Sequence, residues 1–249
     1  MIQEAMMGKK RQEMESQVTS RRQGALAAGI ALLLMFVPSI FAAFYAMEGM
    51  VVAGDAAATA ANILANEAQF RLAIASFLLV VILDVIVAWG LYVFFEPVNR
   101  QISRLAAWFR LIYTAVFAAA ILNASQALRL IQSASLLEGP AAARLQEQAL
   151  LALTAFDDGW SFALVLFGLH LALLGYLAFQ AEGMPWWLGA LLLIAGFGYI
   201  FDPVVALLFP NSAVAVSQFT FIGEMVLAIW LVVKGASARR WQSLALKAA

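Results

Sequence analysis

FRLAIASFLLVVILDVIVAWGLYVFF, residues 70–95, decides the fold. Its two charges are Arg71 at the start and Asp84 near the middle. The run exceeds the roughly 20 apolar residues that cross a hydrocarbon layer ~30 Å thick. Inside lipid a segment of this kind must satisfy its own backbone polar groups, so it reads as a transmembrane helix. Outward from it lie five further runs of the same kind, over about 24–47, 102–132, 159–179, 186–208 and 213–234. The expected fold is all-α: a polytopic transmembrane bundle of six spans.

Composition agrees. Hydrophobic residues make up 64% of the 249 and charged residues only 12%, against about 25% charged in an ordinary soluble domain. Formal net charge is zero, which removes any global electrostatic case for nucleic acid. The absence of cysteine excludes disulfides and thiolate-held metals. One histidine, His170, is too few for a histidine-cluster metal site. No phosphate loop, dinucleotide fingerprint, HExxH or GxSxG motif occurs, and no cofactor or metal is indicated.

The chain divides into a polar segment over 1–23, a six-helix domain over 24–235 and a basic tail over 236–249. The first apolar run reads as a permanent helix, because it is long enough to span, with a cleaved signal as the alternative. Lys9, Lys10, Arg11, Arg21, Arg22, Arg100, Arg104, Lys234, Arg239, Arg240 and Lys247 would collect on one side, leaving little beyond Arg71 and Arg144 on the other. By the positive-inside rule both termini are expected on the cytoplasmic side of the membrane. Two outer connections look helical and interfacial. Asp55 can cap Ala56–Ala65, and Gly139-Pro140 can open a second segment over a surface or as a lid.

A charged side chain at mid-bilayer costs about 2.5–3.5 kcal/mol on insertion scales. Asp84, His170 and Glu224 are central in their spans, and Asp202 lies toward the outer half of the fifth. Arg110 sits about two turns inside the third, within snorkelling reach of the cytoplasmic interface. Ser217, Thr220 and Glu224 share a stripe; Asn123 pairs with Gln126, and Tyr199 with Asp202 ahead of Pro203, which should bend the helix. Gly196 and Gly198 suit a hinge or close helix packing. Asp84, His170, Glu224 and Asp202 are expected to line one polar cavity. Arg110, Asn123 and Tyr199 complete the candidate set for ligand or proton binding. Glu67 and Arg71 read as a surface ion pair. Asp157-Asp158 read as favourable acids at a helix N-terminus, and Trp186-Trp187 as interface anchors.

Several short motifs occur in a recognisable order: Gly54-Asp55-Ala56, Ala61-Asn62-Ile63, Phe70-Arg71-Leu72, Asp84, Pro97-Val98-Asn99 and Phe109-Arg110. Phe167-Gly168-Leu169-His170, Gly175-Tyr176, Gly198-Tyr199, Asp202 and Ile222-Gly223-Glu224 continue it. Over about 22–235 this succession resembles the bacterial domain-of-unknown-function family 4386. The resemblance implies a multi-helix membrane protein with no assigned reaction. It implies recurring polar positions at Arg71, Asp84, Asn99, Arg110, His170, Asp202 and Glu224. One departure lies at 180–185, where relatives often place a basic residue and this chain has Glu182.

Three functions fit the pattern. The first is binding or translocation of a small amphipathic or cationic ligand in the intramembrane cavity, which protonation could drive. The second is an intramembrane enzyme acting on a lipid or isoprenoid-like substrate, with a carboxylate or His170 as base and Arg110 holding an anion. The third is a non-catalytic membrane partner subunit whose polar groups pair helices. Membrane lipids are the expected partners, with a small molecule or lipid as ligand. Substrate and oligomeric state are not encoded in any motif.

Overall fold

A computed structural model describes residues 2–47, 49–209, 216 and 222–237. The described residues form helices joined by short turns. Helix α1 covers Ile2–Ile40 and continues as a π-helical turn over Phe41–Ala46. Then follow α2 (Ala56–Ala65), α3 (Glu67–Phe95), α4 (Arg100–Ala134), α5 (Gly139–Gln180), α6 (Trp186–Leu208) and α7 (Ile222–Ala236). Five of them are long and apolar enough to cross a membrane: α1 from Met14 onward, then α3, α4, α5 and α6.

The outward faces carry the same message as the lengths. On α3, Leu78, Leu79, Ile82, Val85, Ile86 and Trp89 are exposed, while Phe77, Val80, Asp84, Val87 and Leu91 are buried. One face meets the other helices; the opposite face is just as apolar and meets none. A helix hydrophobic all round, with half its surface uncovered, belongs in lipid.

The expected sixth span, 213–234, falls partly outside the described residues, as do Ser217 and Thr220. Its described part, α7, is a 15-residue helix packed against α1 and α6. Arg22 Nε donates to the carbonyl oxygen of Gly235 at 2.9 Å, satisfying a group that the helix end leaves open.

Local sequence sets the helix ends. Asp55 Oδ1 accepts from Ala58 N at 2.8 Å and Asn99 Oδ1 from Ile102 N at 3.1 Å, side-chain caps that occupy otherwise orphaned donors. The expected capped helix over Ala56–Ala65 is therefore present. The expected separate segment opened by Gly139-Pro140 is not. Gly139 and Pro140 begin a single 42-residue helix that runs into the fourth span without a break. Pro140 is tolerated in the first turn, and no later proline interrupts α5.

That continuity also changes the reading of Asp157 and Asp158. They sit well inside α5, whose first residue is Gly139, so the favourable field of a helix N-terminus does not reach them. Likewise the polar stretch before residue 24 continues into the first span as one helix. Helix α6 runs on past Pro203 to Leu208.

Helices α5 and α6 approach closely at paired glycines. A Cβ added to Gly168 would lie 2.5 Å from the carbonyl oxygen of Gly196, and one added to Gly196 would lie 2.7 Å from that of Gly168. Gly196 thus serves close packing, the small-residue contact that lets backbones meet in lipid. It also holds the part of α5 that carries His170 against its neighbour.

Candidate functional site

Four helices deliver one charged or ionisable side chain each to a common point: Asp84 from α3, Arg110 from α4, His170 from α5 and Glu224 from α7. A fifth, α1, contributes Met35. Asp84 and His170 are fully buried, Arg110 is 1% exposed, and the Glu224 side chain is 17% exposed. With 17 residues of α3 before it and 11 after, Asp84 lies about 25 Å from one helix end and 17 Å from the other.

Arg110 is the hub. Its Nε donates to Asp84 Oδ1 at 2.8 Å, and one terminal nitrogen lies 2.5 Å from the same oxygen. The other terminal nitrogen donates to Glu224 Oε1 at 2.8 Å and faces His170 Nε2 at 3.2 Å. Met35 Sδ lies 3.9 Å away, and the Phe167 ring centroid is 5.2 Å from the guanidinium carbon. The planar guanidinium presents five donors in a fixed fork, which is why one arginine can hold three helices at once. Snorkelling does not occur. With two carboxylates at hand, the buried position supplies partners that the interface would otherwise provide.

The geometry assigns the histidine tautomer. His170 Nδ1 lies 2.8 Å from the carbonyl oxygen of Ala106, and a carbonyl can only accept. Nδ1 therefore carries the hydrogen, and Nε2 accepts from the guanidinium, which can only donate. Both ring nitrogens are engaged by the protein itself. Asp84 and His170 make no direct pair; Arg110 stands between them.

One atom is left over. Arginine and carboxylate commonly join through two parallel hydrogen bonds, one to each oxygen. Here two donors converge on Asp84 Oδ1, and the buried Oδ2 has no partner. An unsatisfied buried oxygen on a charged group is costly, so this atom is where the arrangement is incomplete.

Not every candidate joins the centre. Asn123 is half-buried on α4, and 13 residues of helix place it about 20 Å from Arg110. Gln126 is exposed. Asp202 accepts through Oδ1 from Val216 N at 2.9 Å, fastening backbone beyond α6. Tyr199 stands closer: its ring meets Phe167 edge-on at 5.3 Å, next to the face that Phe167 turns to Arg110. The expected cavity shared with Asp202 is thus replaced by a compact cluster around Arg110. Glu67 and Arg71 do form their ion pair, at 2.7 Å, and Glu67 also accepts from Gln132 on α4 at 2.8 Å. Among the described residues no group of three acids, histidines or cysteines is arranged to hold a metal.

Above Arg110, aromatic rings fill the interface. Tyr113 stacks parallel to Phe117 at 6.0 Å and touches Phe167 at 4.8 Å. Phe77 meets Phe117 edge-on at 5.4 Å. Trp160 contacts Phe77, Phe117 and Phe156 at 5.3–5.7 Å. These buried phenylalanine rings pack between helices, while Phe162, Phe179, Phe197 and Phe201 are exposed on outward faces.

The model of the family described as Domain of unknown function (DUF4386) matches residues 27–235. The chain belongs to this family. The DUF4386 match encloses Met35, Asp84, Arg110, His170 and Glu224, so the whole buried centre lies within the family's domain. An uncharacterized protein of Archaeoglobus fulgidus is similar, 38% identical over 157 residues, covering 63% of this chain and 80% of its own. No solved structure matches. Family, helical architecture and apolar helices together make this a polytopic membrane protein.

Proposed function

We propose that this DUF4386 protein binds, and in its working cycle translocates, a small cationic or amphipathic ligand, and that the Asp84–Arg110–Glu224 centre couples binding to a proton. The observation that carries the reading is charge balance. Two carboxylates face one guanidinium, His170 is held neutral by its two hydrogen bonds, and Asp84 Oδ2 is unpartnered. A buried cluster one cation short is unfavourable as it stands. A proton completes the balance in the empty protein, and a cationic group can replace it. Intramembrane ionisable groups are typically placed where such exchange is used.

Two other roles were compatible with the sequence. An enzyme with His170 as base is poorly supported, because neither ring nitrogen is free to take a substrate proton. Arg110, spent on two carboxylates, has little left for an anion. A purely structural role is favoured by the satisfied donors of Arg110, but a fastener gains nothing from an orphaned carboxylate oxygen.

The proposed placement is the inner membrane with both termini cytoplasmic. Support comes from the basic residues at one end of the bundle, Lys9, Arg21, Arg22, Arg100, Arg104 and Lys234, against Arg71, Arg129 and Arg144 at the other. Arg129, near the end of α4, adds to the two expected there.

The test uses purified protein in lipid nanodiscs, in weakly buffered solution with a pH indicator. Methylammonium, sodium and potassium are added one at a time. At least one should release protons in proportion to protein, and Asp84→Asn should abolish the release. No proton release from the wild type with any probe, or equal release from Asp84→Asn, rejects the coupling.

A further inference from the structure

We propose a second ligand site, for an organic ammonium group, in the cleft between the π-helical end of α1 and the middle of α5. A cavity of about 290 Å³ opens there, lined by Ala43, Met47, Val51, Phe156, Asp157 and Trp160 among others. Its volume is at the small end of the range for ligand pockets, suited to a compact headgroup and too small for a whole lipid.

The lining selects the ligand. The walls are apolar, two are aromatic, and the charged group is a carboxylate. Among the described residues Asp157 has no hydrogen-bond donor or cation against it, and the neighbouring charge it feels is Asp158, of like sign. The helix dipole gives it no support, because α5 begins far upstream at Gly139. Asp157 is exposed at the rim of the cavity, so its charge draws a cation to the opening. Trp160 is the partly exposed aromatic ring of the lining, and a cation over such a face gains about 0.5–2 kcal/mol, tryptophan being the best ring for it. The rings are fixed before any ligand arrives: Trp160 is held by Phe77 and Phe117 at 5.3–5.4 Å and by Phe156 at 5.7 Å.

The opposite rim is built from an irregularity. Met47 N donates to Ala42 O at 3.2 Å, a hydrogen bond one residue longer than that of an α-helix. Single π-helical turns of this kind widen a helix and recur at functional sites. Here the widened turn carries Ala43 and Met47 to the cavity edge.

The site is independent of the buried centre. On α5, 13 residues separate Asp157 from His170, about 20 Å along the helix. Its ligand chemistry, an ammonium carried on carbon, has two sources: a soluble amine or the headgroup of a lipid.

The experiment is calorimetric titration of tetramethylammonium into the full-length protein in nanodiscs made only of phosphatidylglycerol, with sodium chloride at equal ionic strength as control. Saturable binding is expected at concentrations up to about 10 mM, weakened about tenfold or more by Asp157→Asn and by Trp160→Leu. Asp157→Glu should retain it. Thermal midpoints of all variants establish that each is folded. A second set of nanodiscs replaces half the lipid with phosphatidylcholine: lower apparent affinity assigns the site to lipid headgroups, and unchanged affinity assigns it to soluble amines. No saturable binding to the wild type, or equal binding by folded Asp157→Asn, overturns the site. Loss of binding in Asp84→Asn alone would place the ammonium at the buried centre and overturn it as well.

Discussion

His170 Nδ1 and the carbonyl oxygen of Ala106 lie 2.8 Å apart across the α4–α5 interface. Ala106 is one turn before Arg110 on α4, so the same helix that supplies the guanidinium also sets which imidazole nitrogen faces it. The ring is thereby presented to Arg110 as an acceptor and never as a competing donor.

This yields a direct spectroscopic expectation. His170 is the sole histidine of the chain, so ¹⁵N-histidine labelling gives one assignable ring. In nanodiscs near neutral pH it should show the neutral tautomer with hydrogen on Nδ1. A ring protonated on Nε2, or on both nitrogens, would break the geometry described for Arg110.

Arg110→Ala should be among the most destabilising single changes in the bundle. It strands the buried carboxylate of Asp84 and the part-buried one of Glu224, a loss of about 3–5 kcal/mol for a broken buried ion pair. The combined variant Arg110→Met, Asp84→Leu, Glu224→Gln removes all three charges and should recover most of that loss, because the desolvation cost disappears with them. Thermal unfolding in one detergent, monitored by tryptophan fluorescence, compares the three proteins. A triple variant no more stable than Arg110→Ala would show that the cluster is held by something other than charge pairing.

Gly168→Ala tests the close approach of α5 and α6. Its new Cβ would lie 2.5 Å from a backbone oxygen, which cannot rotate away. Forced separation of the helices should cost about 1–3 kcal/mol and disturb His170 two residues on, visible as a shifted ring resonance. An unchanged midpoint together with an unchanged resonance would place the glycine pair outside the support of the centre.

Much of this architecture was legible in the residues. Runs such as 70–95 can be little other than spans, and the intramembrane positions of Asp84, His170 and Glu224 pointed to a shared interior. What one sequence does not carry is which helix faces which. Arg110, about two turns inside its expected span, has the same local sequence signature whether it snorkels or turns inward. A tally of charge would have helped: three central ionisable groups include two acids, and Arg110 is the base within reach of balancing them. Asp202 and Asn123 share polarity within a span with the others, but Asp202 turns to the backbone of Val216 and Asn123 lies about 20 Å along α4 from Arg110. The long α5 was missed for a different reason. Gly139-Pro140 and Asp157-Asp158-Gly159 are both boundary signals, and in a helix supported by α2 and α4 only the first one acts.

The most direct measurement of the central claim is the infrared carboxylic-acid C=O band of the ligand-free protein near neutral pH, compared with Asp84→Asn. The wild type should show a protonated carboxyl band that vanishes in the variant, because a proton must complete the charge of a cluster with two acids and one base. Identical spectra, with every buried carboxylate ionised, would contradict it.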